Sequence, residues 1–171
     1  MATVEIRTAQ ERDLPQIAAI EIASKIASVA QWTEPHELDA GLRLESWKAY
    51  LDGQRPQSAK PQRIILISLV EEQYVGYLAG HLSTRFSMDA EIQSFYVLKD
   101  FQRRGLGRAL LSSFLTWLDN YQASGLCVGF HPQNPYKAFY LRFGGTYINE
   151  HWIGWTDLEK LREKLQASRL L

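Results

Sequence analysis

The sequence predicts one α/β domain, spanning residues 1–171, in which helices flank a central sheet. Its 171 residues suit the length of a single domain. Hydrophobic residues make up 46% of the chain and charged residues 22%, which are the proportions of a globular protein with a packed core. Strand-like runs also alternate with amphipathic segments along the chain, as in α/β proteins.

The alternating segments define the predicted order of elements. The strand-like runs cover residues 3–9, 64–70, 74–83, 91–98 and 126–130, with one or two edge strands in 147–155. The helical segments cover residues 14–26, 33–51 (whole or broken), 106–121 and 136–143, with a last helix behind a capping box at 156–159. Residues 54–62 hold two prolines and predict a surface loop. The short segment 71–73 favours an antiparallel hairpin, whereas the strand, helix, strand order after residue 91 favours a parallel pair.

Composition and charge exclude several classes of partner. The 19 basic residues balance the 19 acidic ones, so no global field would recruit nucleic acid or an anionic membrane. Unbroken apolar runs are far shorter than the ~18 residues of a membrane helix, and the N-terminus lacks the layout of a signal peptide. We therefore expect a cytoplasmic protein. The single cysteine, Cys127, stands between two apolar residues and is expected to be a buried core residue.

Residues 102–108 read Gln-Arg-Arg-Gly-Leu-Gly-Arg and stand between a predicted strand and the most regular amphipathic helix. The glycines leave backbone N–H groups unblocked at a helix N-terminus, where the helix dipole favours an anion. Arg103, Arg104 and Arg108 add cationic side chains. The segment therefore predicts a binding site for a phosphorylated ligand. The alternative is a plain turn into a surface helix, which would not require this strand-and-helix context.

Two common nucleotide-binding motifs do not match this segment. A dinucleotide fingerprint requires a third glycine where Leu110 stands. A P-loop requires Lys followed by Ser or Thr where Arg108 and Ala109 stand.

The segment resembles the signature of the GNAT superfamily of N-acetyltransferases, which reads Gln or Arg, two variable residues, Gly, one variable residue, then Gly or Ala. Residues 102–107 match it at every fixed position. The resemblance runs from the strand near Ile6 to the aromatic segment near Trp155. It implies a mixed, mostly antiparallel and splayed central sheet flanked by helices, which is the acyl-CoA N-acyltransferase fold. It also implies transfer of an acetyl group from acetyl-CoA to an amine.

The resemblance further assigns an acetyl-CoA site where the strands 91–98 and 126–130 part. The backbone of Phe95, Tyr96 and Val97 would bond the pantetheine arm, and an N–H near Val97 would polarise the thioester carbonyl; otherwise these residues form a plain core strand. The pyrophosphate would lie against Gln102, Arg103, Arg104, Gly105, Leu106, Gly107 and Arg108. Asn134 resembles the family's asparagine beside the cofactor arm. Many family members place the tyrosine seven residues after this asparagine. Here Tyr140 follows Asn134 by six residues, so Gln133 is an alternative.

Two residues resemble the catalytic groups of the family. Tyr140 corresponds to the tyrosine near the sulfur that acts as general acid, and a phenol with a pKa of about 10 is protonated at neutral pH. The alternative is that Tyr140 only packs with its aromatic neighbours. Glu91 lies eleven residues before Gln102, where some members carry the carboxylate that deprotonates the incoming amine. The alternative is a solvent-facing glutamate at a strand start.

The remaining expectations concern what the protein uses besides acetyl-CoA. The four histidines lack metal-ligand spacing, so we expect no metal. No serine or cysteine has an activating context, which favours direct transfer in a ternary complex. The acceptor is an unidentified amine, and the sequence leaves open both a homodimer and a silent acyl-CoA-binding module on the same fold. Four tryptophans either anchor the core or line the acceptor cleft: Trp32, Trp47, Trp152 and Trp155.

Overall fold

One seven-stranded sheet organises the residues that the computed structural model describes, which are 3–168. Its strands are β1 (Val4–Thr8), β2 (Ala59–Val70), β3 (Gln73–Ser83), β4 (Ala90–Val97), β5 (Leu126–Gly129), β6 (Thr146–Asn149) and β7 (Trp152–Trp155). The α-helices are α1 (Leu14–Ser28), α2 (Ala40–Leu51), α3 (Leu106–Asp119), α4 (Lys137–Arg142) and α5 (Leu158–Ala167). The strand order is β1-β2-β3-β4-β5-β7-β6, and within 3–168 only β4 and β5 are parallel neighbours. The predicted mixed, mostly antiparallel sheet is confirmed.

Both faces of the sheet carry apolar side chains. Successive side chains of each strand point to opposite faces, so one strand contributes to both. Helices cover both faces, so the fold contains two cores. The core under α3 and α5 includes Leu78, Ile92, Phe114, Val128 and Leu161. The core under α1 and α2 includes Ile17, Trp47, Ile67, Tyr77 and Ala79.

The strands β4 and β5 separate part-way along their length. They pair at three positions, from Ala90 with Leu126 to Ile92 with Val128. Beyond Ile92, β4 continues to Val97 with β3 as its partner. At the closed end, the carboxylate of Asp89 accepts hydrogen bonds of 2.7 and 3.1 Å from the backbone N–H groups of Ser124 and Gly125. The sheet is therefore splayed toward the C-terminal ends of these two strands, as the family resemblance implied.

The hairpin between β2 and β3 is confirmed, with a turn shorter than predicted. Gln73 already pairs with Val70, which leaves Glu71 and Glu72 as the two turn residues. Both have positive φ angles, of 48° and 69°. This backbone geometry matches the right-handed twist of the flanking strands, so two residues suffice.

Three other predicted boundaries change. The prediction of a loop over 54–62 is partly wrong, because β2 already begins at Ala59. The strand tolerates Pro61 because the β2–β3 register is interrupted there and no backbone N–H is needed for pairing. The segment 33–51 is broken into a 3₁₀ turn (Pro35–Leu38) and α2. Of the two strands within 147–155, only β6 is at an edge, since β7 pairs with both β5 and β6.

The last helix begins one residue later than its predicted capping box. Asp157, rather than Thr156, is the N-cap, because its carboxylate accepts a hydrogen bond of 3.2 Å from the backbone N–H of Lys160. Across residues 3–168, no helix combines the length and the apolar character needed to cross a membrane.

Candidate active site

The helix α3 begins at two backbone conformations that expose its first turn. Arg103 and Gly105 have positive φ angles of 60° and 81°, and Gly105 is the N-cap residue. Among residues 3–168 no side chain caps the helix, so its first N–H groups remain available to a ligand. A Cβ at Gly107 would lie 3.3 Å from the ring of Phe139 and 3.6 Å from that of Phe95, which explains the second glycine by close packing. The sequence motif thus forms an open helix N-terminus.

A cleft of about 760 Å³ runs from this helix N-terminus along the splayed end of β4. Eleven of the thirteen predicted site residues line it: Phe95, Tyr96, Val97, Gln102, Arg103, Arg104, Gly105, Leu106, Gly107, Arg108 and Tyr140. The sequence did not predict seven further lining residues: Phe101, Pro135, Tyr136, Ala138, Phe139, Arg142 and Ser168. Glu91 and Asn134 do not line the cleft.

Residues 95–97 of β4, which do not pair with β5, form one wall of the cleft. Residues 95–97 pair with β3 on one side, whereas the β4–β5 pairing has ended at Ile92. The backbone groups that face the cleft therefore have no strand partner there and can bond an extended ligand. Gln102 fixes the end of this wall, because its side-chain amide donates a hydrogen bond of 2.9 Å to the carbonyl oxygen of Val97.

The three arginines of the motif have different surroundings. Arg104 is exposed, donates to the carbonyl oxygen of Asp100 at 2.9 Å and lies over the ring of Phe101. Arg103 is exposed as well. Arg108 is half-buried, and its Nη1 atom is enclosed without a hydrogen-bond partner within residues 3–168. A buried, unpaired guanidinium nitrogen is costly, so Arg108 is the arginine whose geometry best fits an anionic ligand in the cleft.

Tyr140 lies on α4 and faces the cleft. Its ring contacts those of Phe95, Phe139 and Trp155, at centroid distances of 6.4, 5.8 and 6.0 Å. No residue in the described part of the chain hydrogen-bonds its hydroxyl group. Burial, assisted by nearby Tyr96, raises the pKa of Tyr140, so the hydroxyl stays protonated at neutral pH. Tyr140 thus packs with its neighbours and also presents a free proton donor to the cleft.

Asn134 has a local contact instead of a position in the cleft wall. Its side-chain oxygen accepts a hydrogen bond of 2.9 Å from the backbone N–H of Tyr136, just before α4 begins. This is an Asx turn, which shapes the entry into the helix. Gln133, the alternative residue, is exposed, and its backbone N–H bonds Nδ1 of His131 at 3.2 Å. Contact of Asn134 with the cofactor stays a prediction.

Glu91 is buried, with 4% of its surface exposed, so the alternative of a solvent-facing strand-end glutamate is wrong. Its Oε2 atom accepts a hydrogen bond of 2.9 Å from Nε of Arg85 and bonds of 3.3 Å from the hydroxyls of Ser58 and Ser83. Burial alone would raise the pKa of Glu91, but His81 and Arg85 outweigh it and hold the pKa below its ordinary value. The carboxyl group is therefore ionised at neutral pH, and its role as base stays a prediction.

The partners of Glu91 escaped the sequence analysis. His81 faces Glu91 across the β3–β4 pairing, and the irregular connection over residues 84–89 hides this register in the sequence. Arg85 belongs to the irregular segment between β3 and β4, where local pattern carries no contact information. The available signal was a histidine and a glutamate near the facing ends of two consecutive predicted strands, whose pairing the sequence analysis did not predict.

Other sequence predictions have simpler outcomes. Cys127 is fully buried, as predicted, and burial raises the pKa of its thiol to about 12. Trp47 and Trp155 are buried in the two cores, whereas Trp32 is exposed and stacks on His131. Trp152 is half-buried beneath the guanidinium of Arg85. In the described range, no three His, Cys, Asp or Glu side chains converge in a way that would hold a metal ion.

The cleft, the open helix N-terminus and the splayed sheet define a domain that could hold an elongated anionic ligand, and comparison with known proteins gives the family. The model of the Acetyltransferase (GNAT) family matches residues 26–145, which is more than half of the chain. The chain therefore belongs to the GNAT family of acetyltransferases. It is also 27% identical over 180 residues to the uncharacterized N-acetyltransferase YuaI of Bacillus subtilis (strain 168), covering 95% of this chain and 98% of that protein.

Solved structures share the fold at lower sequence identity. The PaiA N-acetyltransferase of Thermoplasma acidophilum, in complex with coenzyme A, is 14% identical and superposes with a TM-score of 0.70 over 91% of this chain and 99% of its own. YncA of Salmonella typhimurium, described as a putative acetyltransferase with its cofactor acetyl-CoA, is 20% identical, with a TM-score of 0.63 over 90% and 93% of the two chains. These similarities establish the fold.

Proposed function

We propose that this GNAT protein is an N-acetyltransferase that transfers the acetyl group of acetyl-CoA directly to an amine within a ternary complex. The observation that carries the proposal is the cleft, which joins an uncapped helix N-terminus to an unpaired strand wall and a free tyrosine hydroxyl. An extended ligand with a phosphate group at one end and a reactive thioester at the other matches this order of features. Silent binding of acyl-CoA on the same fold would not require the free hydroxyl.

The residues of the cleft fit acetyl-CoA in charge and in shape. Arg108 supplies a half-buried cation whose enclosed Nη1 atom has no partner within residues 3–168, and the N-terminus of α3 supplies N–H groups for the pyrophosphate. The unpaired side of residues 95–97 supplies backbone groups for the amides of the pantetheine arm. The structural relatives that were solved with coenzyme A and with acetyl-CoA support a ligand of this class.

The reaction requires one bond to form and one to break. The bound thioester supplies an activated acetyl group. The amine nitrogen attacks the carbonyl carbon while a backbone N–H near Val97 stabilises the negative charge on the carbonyl oxygen. The C–S bond then breaks, Tyr140 donates its proton to the departing sulfur, and the attacking nitrogen releases one proton as the amide forms, which restores the Tyr140 hydroxyl. The products are an amide and coenzyme A.

The amine must lose a proton to attack, and Glu91 is the proposed acceptor of that proton, directly or through water. Glu91 shares its sheet face with Tyr96, the cleft residue that packs on α1 and α2. Its Oε2 atom is engaged by several donors, whereas Oε1 has no donor within residues 3–168. The low pKa of Glu91 makes it a weak base, which favours a relay through water over abstraction from a fully charged ammonium group.

A thiol-release screen tests the proposed function. In separate reactions, the protein is incubated with acetyl-CoA and one acceptor: an aliphatic amine, an amino acid, a polyamine or a lysine-containing peptide. We expect free coenzyme A to appear with at least one acceptor, together with an acetylated product detected by mass spectrometry. Binding of acetyl-CoA without product from any acceptor class would instead support the silent module.

A further inference from the structure

Three buried side chains form a line beside the proposed base. Tyr50 of α2, His81 of β3 and Glu91 of β4 are exposed by only 4%, 0% and 4%. The hydroxyl oxygen of Tyr50 lies 3.0 Å from Nδ1 of His81. Nε2 of His81 lies 3.6 Å from Oε2 of Glu91. His81 therefore stands between the phenol and the carboxylate.

The hydroxyl group of Tyr50 determines which nitrogen of a neutral His81 carries the proton. Burial raises the pKa of Tyr50, despite the guanidinium of Arg63 over its ring, so its hydroxyl is protonated at neutral pH. Nδ1 of His81 is the one partner of that hydroxyl within residues 3–168. If Tyr50 donates to Nδ1, that nitrogen carries no proton, and the proton of a neutral imidazole is on Nε2.

The Nε2 atom of His81 faces the carboxylate of Glu91. It is enclosed, and it makes no hydrogen bond with any residue in the described range. It faces Oε2 of Glu91 at a distance slightly longer than a hydrogen bond. An N–H at this position would attract the carboxylate without bringing a second positive charge next to it.

The other groups around Glu91 converge on the same oxygen. Arg85, from the segment before β4, supplies the cation, and Ser58 and Ser83 supply hydroxyls. Cys127, the neighbour on β5, is uncharged because burial raises its pKa to about 12. The hydrogen bonds from Arg85, Ser58 and Ser83 are all to Oε2. The Oε1 atom has no donor within 3–168, so it remains available to a further donor.

We infer that His81, in the tautomer set by Tyr50, is a positioning residue for Glu91: it holds Oε2 and leaves Oε1 as the oxygen that meets the acceptor amine or its water. This inference rests on the proposed role of Glu91 as base. A protonated His81 would add a second cation beside Arg85 and weaken the base further. The neutral form of His81 therefore orients the carboxylate at a smaller cost in basicity.

The first test measures the tautomer and needs no acceptor. Imidazole ¹⁵N NMR of the labelled protein, with the signals of His81 assigned by His81→Gln, should show a neutral ring with its proton on Nε2 at pH 7. In Tyr50→Phe the donor to Nδ1 is lost, and a mixture of tautomers is expected. Tyr147→Phe, which changes an exposed tyrosine, is the control and should leave the spectrum unchanged. A charged His81, or an unaltered tautomer in Tyr50→Phe, overturns the inference.

The second test measures Glu91 itself. Carboxyl ¹³C NMR should show its pKa rising by about one unit in His81→Leu, because the N–H that faces Oε2 and favours the ionised carboxylate is lost. His81→Gln keeps an N–H donor and should restore most of the shift. The acid limb of kcat/KM should move in parallel. An unchanged pKa of Glu91 in folded His81→Leu overturns the positioning role.

The two tests also separate this inference from the proposed function. If Glu91→Gln leaves turnover unchanged, the base assignment fails, and the positioning role fails with it as a contribution to catalysis. The NMR results then still report whether His81 holds Glu91. If His81→Leu does not fold, the tautomer of His81 in Tyr50→Phe decides the inference.

Discussion

The side-chain amide of Gln102 donates a hydrogen bond of 2.9 Å to the carbonyl oxygen of Val97. This contact joins the first residue of the glycine-containing motif to the last residue of β4. The two binding surfaces proposed for acetyl-CoA, the strand wall and the helix N-terminus, are therefore held in a fixed relation by one side chain.

Gln102→Ala removes this contact and should weaken binding of acetyl-CoA. One hydrogen bond contributes about 1 kcal/mol, so the Kd is expected to rise about fivefold. Isothermal titration calorimetry measures the change. Gln16→Ala, on the exposed side of α1, is the control and should bind as the wild type does. Equal affinities of Gln102→Ala and wild type would show that the wall and the helix N-terminus keep their relation without this contact.

Arg108→Ala should reduce affinity for acetyl-CoA more than Arg104→Ala does. Arg108 has an enclosed Nη1 atom without a partner in the described residues 3–168, whereas Arg104 is exposed and already donates to the carbonyl oxygen of Asp100. Loss of a charge-assisted contact predicts at least about a tenfold rise in Kd for Arg108→Ala. Titrations at two salt concentrations should show a weaker salt dependence in that variant, while Arg12→Ala on the surface provides the baseline. The reverse order of the two variants would place the phosphates nearer Arg104.

Tyr140→Phe should lower turnover by about 10²-fold and leave acetyl-CoA affinity nearly unchanged, since only the proton donor to sulfur is lost. The ring and its packing against Phe95 and Trp155 remain. Steady-state kinetics on one acceptor, combined with calorimetry, separates the two quantities. Tyr147→Phe is the matched control because its side chain is exposed. Wild-type turnover in Tyr140→Phe would leave Tyr140 with a packing role alone.

Glu91→Gln should lower the rate most near neutral pH and recover at high pH, where free amine forms without help. An amine with a pKa of about 10 is only about a thousandth deprotonated at pH 7. The measurement is a pH profile at saturating acetyl-CoA, with Glu150→Gln as the exposed control. Because the variant leaves Arg85 without its partner, thermal melting must accompany the kinetics. A profile that matches the wild type at every pH would assign deprotonation to water or to another group.

Asp13→Asn should reduce stability by about 3 kcal/mol at pH 7, since it breaks a buried ion pair. Asp13 is fully buried and bonded by Arg7, Tyr74 and the backbone of Gln10. The hydrogen bond from Arg7 outweighs burial and holds the pKa of Asp13 well below its ordinary value. The stabilisation is therefore present above the unfolded pKa of about 3.9 and is lost as the pH falls toward the folded pKa.

Urea unfolding of wild type and Asp13→Asn at pH 7 and pH 3 measures this loss. The difference in unfolding free energy should shrink at the lower pH. Glu5→Gln, which removes an exposed partner of Arg7, should cost less than about 1 kcal/mol. A pH-independent difference between wild type and Asp13→Asn would show that the carboxylate charge does not contribute.

The elements that the sequence predicted best are those whose signal is local. The helix α3 has an unambiguous apolar period, and the motif before it carries its own glycines, so both the helix and most of the cleft residues were predictable. The start of β2 was not, because a proline near Ala59 reads as a loop unless the pairing with β3 is known.

The surroundings of Glu91 depend on contacts that no local pattern contains. Its partners come from β3, the segment after β3 and the chain before β2, and only the folded sheet brings these parts of the chain together. The sequence therefore identified the carboxylate but not its burial, its ion pair or its lowered pKa. Asn134 differs in kind, since family spacing suggested a cofactor contact and the backbone of Tyr136 takes up its side-chain oxygen.

The backbone N–H groups of Ser124 and Gly125 donate hydrogen bonds to Asp89 at the end of the β4–β5 pair that lies opposite the cleft. Because the two strands pair at only three positions beyond this point, the next five residues of β4 have β3 as a neighbour on one side and no strand on the other within residues 3–168. From Ile92 to Val97 this separated part is roughly 17 Å long at about 3.3 Å per residue. An increase of about 4° in the angle between β4 and β5 at Ile92 would move Val97 by about 1 Å relative to β5. The position at which the two strands stop pairing therefore sets the width of the cleft at Val97.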